Sequence, residues 1–133
     1  MNLSLYVIKL ENVENIIEEK KYKLDQFYCE KCNNIVKCSK TDRIKKMPEN
    51  VVIHLKRFSF DDVKLDNIID FPEKFIFEKK NYCLYAVINH IGTLNSGHYF
   101  KYIKTDKWYE INDNLIKPID NYVTNKAVIL FYG

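Results

Sequence analysis

A series of short runs of β-branched and aromatic residues, separated by polar connections, most constrains how this chain folds. Such runs, with turn-forming residues between them, predict β-strands. The segment from Glu11 to Lys20 differs, because its apolar residues are spaced as on a helix and Asn12 is available as a cap. One helix among roughly seven strands predicts an α+β fold in which β dominates, built on a mostly antiparallel sheet. Strands are expected at residues 3–7, 51–58, 82–89, 98–104, 108–111 and 127–132, with an exposed two-stranded ribbon at 35–44.

The composition fits one domain, or part of one, with a hydrophobic core of its own. Of the 133 residues, 47% are hydrophobic and 14% aromatic, which argues against a disordered chain. The 21 basic and 18 acidic side chains are interspersed, so the chain lacks the basic stripe of a nucleic-acid-binding protein. No stretch approaches the ~20 apolar residues of a membrane span. We therefore expect neither nucleic acid nor a membrane as a partner.

The first residues and the cysteines indicate the compartment. Residues 1–8 lack the basic start and the small-residue cleavage site of a signal peptide. Four cysteines without a secretory signal are expected to be reduced thiols rather than a disulfide framework. The expected location is intracellular, in the cytoplasm, the nucleus or both.

A histidine and two possible partners stand at the ends of neighbouring predicted strands. Gly97-His98-Tyr99 begins one strand, and the run from Trp108 to Asp113 ends the next. If these strands pair in antiparallel fashion, His98 comes within hydrogen-bonding reach of Asn112 or Asp113. A base held in orientation by another group is half of a nucleophilic catalytic centre. The alternative to a catalytic role is a structural one, in which His98 begins a strand and hydrogen-bonds a turn.

The nucleophile that such a base would serve is missing from the sequence. Cys29 and Cys32 have the spacing of metal ligands, and Cys38, in the polar ribbon, is a possible third ligand. Cys83 lies within a predicted strand, where a small buried hydrophobic residue is expected. None of the four cysteines opens a helix whose dipole would lower the thiol pKa. We therefore predict that none of them is the nucleophile.

Five segments, in this order, resemble the ubiquitin-specific proteases, which are papain-like cysteine deubiquitinases. They are Tyr28–Cys32, similar to a zinc half-site; Met47–Phe58, similar to a proline-led strand ending in Leu-Lys-Arg-Phe; Tyr82–Gly92, similar to the strand before the catalytic histidine; Gly97–Tyr99 with Trp108–Asp113, similar to the histidine box; and Ile129–Tyr132, similar to the last strand. Each segment alone is common, but five in order make a specific pattern. The resemblance runs through nearly the whole chain.

The resemblance implies that the chain is the C-terminal half of the catalytic domain. Residues of about 1–46 would be the strand, helix and ribbon near the fingers, and about 47–133 the palm. The thumb and the Asn-Thr-Cys-Tyr-like box that carries the nucleophile would lie upstream of Met1 or on a separate chain. The implied partner is ubiquitin or a ubiquitinated protein. The implied reaction is hydrolysis of the bond after the C-terminal glycine of ubiquitin, so the chain alone is expected to be inactive.

The resemblance also implies a role for each site residue. His98 would be the general base, and Asn112 would orient it, because Asn112 stands four residues after Trp108 as the third catalytic residue of the family does. Asp113 is a secondary candidate, since it would point to the opposite face if the strand continued. The alternatives are an inactive pseudo-protease that still binds ubiquitin, and a β-rich scaffold that binds neither ubiquitin nor zinc.

Substrate and metal contacts are expected around the same site. By the resemblance, the loop from Thr93 to Ser96 borders the channel for the ubiquitin tail, Ser96 and Gly97 are substrate-binding candidates, and His90 is structural or close to the substrate. Tyr99 and Trp108 are channel-wall candidates, although Trp108 fits an ordinary core residue equally well. No cofactor is expected for the chemistry. Structural zinc on Cys29 and Cys32 is the one metal considered, as a half-site only.

Overall fold

The computed structural model describes residues 3–7, 19–58, 61 and 63–133. Residues 19–46 form one compact unit, and residues 3–7 and 47–133 form the other. The described residues contain ten strands and no α-helix, and thus no helix able to cross a membrane. In chain order they are β1 Leu3–Val7, β2 Lys20–Cys29, β3 Asn34–Asp42, β4 Val51–Leu55, β5 Lys74–Phe77, β6 Lys80–Gly92, β7 Gly97–Lys104, β8 Trp108–Asn112, β9 Leu115–Pro118 and β10 Ala127–Tyr132.

The larger unit is built on one eight-stranded sheet. Its strand order is β1-β4-β10-β6-β7-β8-β9, and β5 pairs separately with β6. Every neighbouring pair is antiparallel except β1 and β4, which run parallel. Strands β6, β7, β8 and β9 follow one another directly in chain and in space, so short turns place the ends of β7 and β8 close together.

The core of this unit lies against one face of the sheet. On β4, Val51, Ile53 and Leu55 are fully buried, while the alternating Val52 and His54 are only half-buried, as the period of two of a strand requires. Each such apolar side chain contributes about 1.5–3 kcal/mol on burial. The same face is completed by Leu84, Val87, Phe100, Tyr102, Trp108, Leu130 and Tyr132.

A buried arginine ties the irregular segment after β4 to the sheet. The Arg57 guanidinium donates hydrogen bonds to the carbonyl of Ala127 and to those of Leu65 and Asn67, the last two at 2.9 and 2.8 Å. The Leu65 N–H in turn bonds the Arg57 carbonyl. A buried backbone carbonyl without a partner is costly, and this side chain pairs with the buried carbonyl of Ala127 and two part-buried ones.

The smaller unit is a two-stranded antiparallel ribbon of β2 and β3. A bulge between Leu24 and Phe27 shifts the register by one residue. Cys29 and Cys32 lie at the tip, where the chain turns between the strands.

The predicted β-dominant, mostly antiparallel architecture is confirmed. The predicted helix lies outside the described residues up to residue 18, and Lys20 at its end begins β2 instead. The two-stranded ribbon expected within residues 35–44 is wrong. These residues contribute one strand, β3, and its partner is β2. β5 and β9 were not predicted. The predicted strand at 51–58 ends at Leu55, and Phe58 forms only an isolated bridge with Lys64.

Candidate functional site

The pairing of β7 with β8 places His98 beside Asn112. Lys101 is opposite Ile111, so the next residue of β8, Asn112, lies opposite Phe100. Phe100 and His98 are two residues apart on β7, so Asn112 lies on the same face of the sheet as His98. His98 Nε2 lies 2.6 Å from Asn112 Oδ1. The ring of Phe100, two residues further along β7, stacks against His98 at a centroid distance of 6.5 Å and an interplanar angle of 14°. The sheet register therefore joins the two residues that the sequence paired.

Asp113 approaches the same ring nitrogen, contrary to the expectation that it would point to the opposite face. β8 ends at Asn112, and Asp113 begins a two-residue turn to Leu115 with φ of 51°. Aspartate tolerates this left-handed conformation better than most residues. The turn brings Asp113 Oδ2 to 3.9 Å from His98 Nε2, beyond hydrogen-bond length. Asn112 is thus the hydrogen-bonding partner, and Asp113 adds a nearby negative charge.

The hydrogen bond to Asn112 fixes which imidazole nitrogen can act as a base. The amide oxygen only accepts, so Nε2 must carry the proton. In the neutral ring Nδ1 then carries the lone pair and is the atom that takes up a proton. The side chain of His98 is 47% exposed and that of Asp113 80% exposed. The His98 ring is therefore open to solvent on the side away from the sheet.

His90 occupies the opposite face of the β6–β7 hairpin. It pairs with Tyr99, whereas His98 pairs with Ile91. His90 is only 4% exposed, and its pKa is lowered by burial and by the nearby charge of Lys64. The imidazole is therefore neutral near pH 7 and cannot substitute for His98 as a solvent-accessible base.

A cavity of about 390 Å³ opens on the His90 face of the sheet. Tyr99, which is 63% exposed, borders it together with His90, Leu94 and Phe58. Because consecutive strand residues point to opposite faces, this cavity and the His98 side chain lie on opposite faces of the sheet, near the end where β7 begins.

The turn that leads into β7 is held by its own hydrogen bonds. The Thr93 N–H and hydroxyl both donate to the Ser96 carbonyl, and the Ser96 N–H donates to Thr93 Oγ1. Gly92 has φ of 120°, and a Cβ there would lie 2.5 Å from the Ser96 carbonyl oxygen. The turn therefore requires glycine at this position, and it presents Leu94 to the cavity.

Trp108 lies away from this site. It is 7% exposed and stacks on Tyr122 at a centroid distance of 4.6 Å. It pairs with Lys104, at the end of β7 furthest from His98. This position favours the core role over the channel role.

No cysteine stands at His98 on the sheet. Cys83 is exposed rather than buried, because it lies on the solvent face of β6 opposite Lys74. It is eight residues along the strand from Ile91, the partner of His98, which is roughly 26 Å at ~3.3 Å per residue.

The two cysteines of the ribbon tip lie close enough to interact with each other. The pKa of Cys29 is lowered by hydrogen bonds from the backbone and side chain of Cys32, and then from the Lys31 backbone. Cys38 pairs with Leu24, whereas Cys29 pairs with Asn34. Cys38 is four residues beyond Asn34 on β3, which corresponds to roughly 13 Å along the strand. It is therefore too far to share an ion with the tip. Within the described ranges no three His, Cys, Asp or Glu side chains are grouped to hold a metal.

Two residues of the cavity wall were missed by the sequence reasoning. Phe58 was assigned to a strand, and Leu94 was passed over within a polar loop. Leu94 is the one large apolar residue between Gly92 and Gly97, and an apolar residue at an exposed turn is the signal that could have identified it.

The sequence and the fold are both similar to known proteins. The family described as ubiquitin carboxyl-terminal hydrolase matches residues 10–132. Ubiquitin carboxyl-terminal hydrolase Usp2 of Drosophila melanogaster is 37% identical, over 78% of this chain and 13% of its own length. Ubiquitin carboxyl-terminal hydrolase 2 of Homo sapiens is 36% identical, over 78% of this chain and 20% of its own length.

Among solved structures, a chain of the SAGA Ubp8/Sgf11/Sus1/Sgf73 DUB module bound to ubiquitin aldehyde superposes with a TM-score of 0.74 and 27% identity. The superposition covers 98% of this chain and 35% of that chain. The present chain thus spans about a third or less of the length of these relatives.

Proposed function

This chain belongs to the ubiquitin carboxyl-terminal hydrolase family, and from that premise we propose that it is the C-terminal part of a thiol-dependent deubiquitinase. The proposed reaction is hydrolysis of the bond after the C-terminal glycine of ubiquitin. His98 is the general base and Asn112 orients it. The observation that carries this proposal is the 2.6 Å contact between His98 Nε2 and Asn112 Oδ1.

In the proposed reaction, Nδ1 of His98 takes the proton of a cysteine thiol, and the thiolate attacks the glycine carbonyl carbon. When the tetrahedral intermediate collapses, the leaving amine takes that proton from His98, and a thioester remains. Water then gives a proton to Nδ1 and attacks the thioester, which releases the ubiquitin carboxylate and regenerates the thiol. Asn112 keeps Nε2 occupied throughout, so that Nδ1 remains directed at the sulfur.

The nucleophile comes from outside this chain, either from the rest of a longer protein or from a separate partner. The exposure of His98 supports this. A hydrogen bond such as that between His98 and Asn112 contributes only about 0.5–1.5 kcal/mol to stability, and a layer of protein that covered the pair would strengthen it. The relatives, several times longer than this chain, have ample length for such a layer.

The cavity beside Tyr99 is proposed to receive the Gly-Gly tail of ubiquitin. Its walls of Tyr99, Leu94 and Phe58 suit an extended main chain that lacks side chains. The tail would pass along this face and then round the turn where β7 begins, to reach His98 on the opposite face. Ser96 and Gly97 then lie at the border of the channel.

An inactive ubiquitin-binding module is the second candidate. It is favoured by the distance of Cys83 from His98 and is compatible with the same cavity. The two candidates make the same prediction for binding and opposite predictions for hydrolysis. For either one, Cys29 and Cys32 could supply two ligands of a structural zinc site whose other two ligands lie elsewhere.

A titration of the isotope-labelled chain with ubiquitin tests the proposed binding by NMR. The matched control is ubiquitin that lacks its last two glycines. We expect the amide resonances of Leu94 and Tyr99 to shift with intact ubiquitin and to shift much less with the truncated form. Equal shifts with both forms would contradict the tail channel, and no shifts with either would contradict ubiquitin binding.

A further inference from the structure

His90 lies directly against Gly97, the residue before His98, and we infer that His90 is a positioning residue for this base. The inference rests on the proposed role of His98. A Cβ built on Gly97 would lie 2.1 Å from Nε2 and 2.8 Å from Cε1 of His90. The imidazole therefore occupies the volume that any side chain at position 97 would need, and the two residues fit only as a pair.

The His90 ring is held on several sides and cannot easily move away from Gly97. Tyr99 packs on it with ring centroids 4.6 Å apart, and Phe58 meets it edge-on at 6.0 Å. Its backbone N–H donates to the Lys126 carbonyl, and its own carbonyl accepts from Lys64 Nζ, both at 2.9 Å.

The shape of the ring, more than its polarity, explains its presence here. Among the described residues, Nδ1 of His90 is buried and has no hydrogen-bond partner. Burial and Lys64 lower the pKa of the group, so the ring is uncharged and can pack among aromatic side chains. A flat ring of this size lies against the Gly97 backbone where a bulkier side chain would displace it.

The backbone at Gly97 sets the direction in which the His98 side chain leaves the strand. His98 must hold Nε2 at 2.6 Å from Asn112 Oδ1, and a shift of one ångström at its Cα would break that hydrogen bond. His90 acts on His98 through Gly97, from the other face of the hairpin. It contacts neither Asn112 nor the reacting atoms in this role.

The test is an NMR measurement on the full 133-residue chain, with His90→Ala and a control, Phe75→Ala. Phe75 is an equally buried ring packed on Tyr82 and Tyr132, at the opposite end of β6 from His90. The readout is the NOE between the His98 ring and the Asn112 side chain, which needs no nucleophile and no catalysis. It therefore remains informative even if the proposed function fails.

We expect both variants to melt at lower temperature, and only His90→Ala to lose at least half of the NOE intensity. An unchanged NOE in His90→Ala, together with a reduced melting temperature, would show a purely structural role and overturn the inference. If His90→Ala does not fold, His90→Gln is read by the same criterion, because it keeps a flat polar group at this position but lacks the ring.

Discussion

At the scale of single residues, Asn112 and Asp113 compete for one nitrogen of His98. The amide oxygen is at hydrogen-bond distance and the carboxylate is not. The Asp113 carboxylate is also 80% exposed, so water screens its attraction to the ring. The geometry therefore supports Asn112 over Asp113 for the proposed orienting role, although a carboxylate is the stronger acceptor in general.

Asn112→Ala should lower the turnover of the assembled deubiquitinase by about 100-fold, the lower end of the ~10²–10⁴ that a positioned general base contributes. Asp113→Ala should lower it by at most about fivefold, which corresponds to the ~1 kcal/mol upper limit of an exposed pair. Ubiquitin hydrolysis rates at saturating substrate measure both. An equal or larger loss in Asp113→Ala would transfer the orienting role to Asp113.

The burial of His90 makes stability depend on pH. Its pKa is lowered in the folded chain, whereas the unfolded chain binds a proton at about pH 6.5. The unfolded state therefore binds more protons just below that pH, and stability is full above about 6.5 and falls as the pH drops through it. The slope from this one group is at most about 1.4 kcal/mol per pH unit.

The expected result is that wild type loses more stability than His90→Gln between pH 7.5 and pH 5.5. Denaturant unfolding at several pH values measures the difference. Parallel curves for the two proteins would mean that His90 does not contribute to the pH dependence.

At the scale of elements, the β5–β6 hairpin carries backbone strain. Its two-residue turn is formed by Glu78 and Lys79, with φ of 46° and 70°. Asn-Gly is the sequence that such a turn prefers, because both central residues are left-handed. The combined change Glu78→Asn with Lys79→Gly should therefore raise the free energy of unfolding by about 1 kcal/mol.

Denaturant unfolding tests this, with Lys107→Gly as the control. Lys107 also lies in a hairpin turn, but it is not among the described residues with positive φ. Glycine there should be neutral or destabilising. A stabilisation of equal size in both variants would mean that the strain at Glu78 and Lys79 is not the cause.

The Arg57 side chain joins two elements that have no strand pairing with each other. Arg57→Ala removes the donors for the carbonyls of Ala127, Leu65 and Asn67. Only the Ala127 contact is buried, and the other two are part-buried. At about 1–3 kcal/mol for a buried group left unpaired, the loss should be at least ~1 kcal/mol. Arg43→Ala, at an exposed position, should change stability by less than about 0.5 kcal/mol. Similar melting temperatures for the two variants would contradict the role of Arg57.

The sequence predicted the strands that follow a simple pattern and missed those that do not. β4 and β10 are rich in β-branched and apolar residues, and the sequence predicts both. β9, with all four residues exposed, carries no alternation because it is an edge strand. β2 is long and polar, so its pairing with β3 depends on backbone hydrogen bonds that composition does not reveal.

The site was predictable where it follows from register and not where it follows from backbone conformation. The pairing of His98 with Asn112 needs only two neighbouring strands in antiparallel order. The approach of Asp113 to His98 depends on the positive φ of Asp113. The contact of His90 with Gly97 depends on the face of the hairpin that each residue occupies. Neither can be read from spacing alone.

At the scale of the whole molecule, the chain holds the proposed base His98 and its proposed orienting partner Asn112, and the described part of the sheet places no cysteine beside them. The chain spans about a third or less of the length of these relatives. The central claim is that this chain supplies the working base of a deubiquitinase.

Hydrolysis of a fluorogenic C-terminal amide of ubiquitin, by this chain combined with a cysteine-bearing half of the domain, tests that claim most directly. The half may come from the same protein or from the Drosophila relative. We predict that release requires both parts, is blocked by a thiol-alkylating reagent and is lost with His98→Ala, while ubiquitin binding persists. If the assembled parts bind ubiquitin without hydrolysing the amide, or if His98→Ala retains full activity, the claim is contradicted.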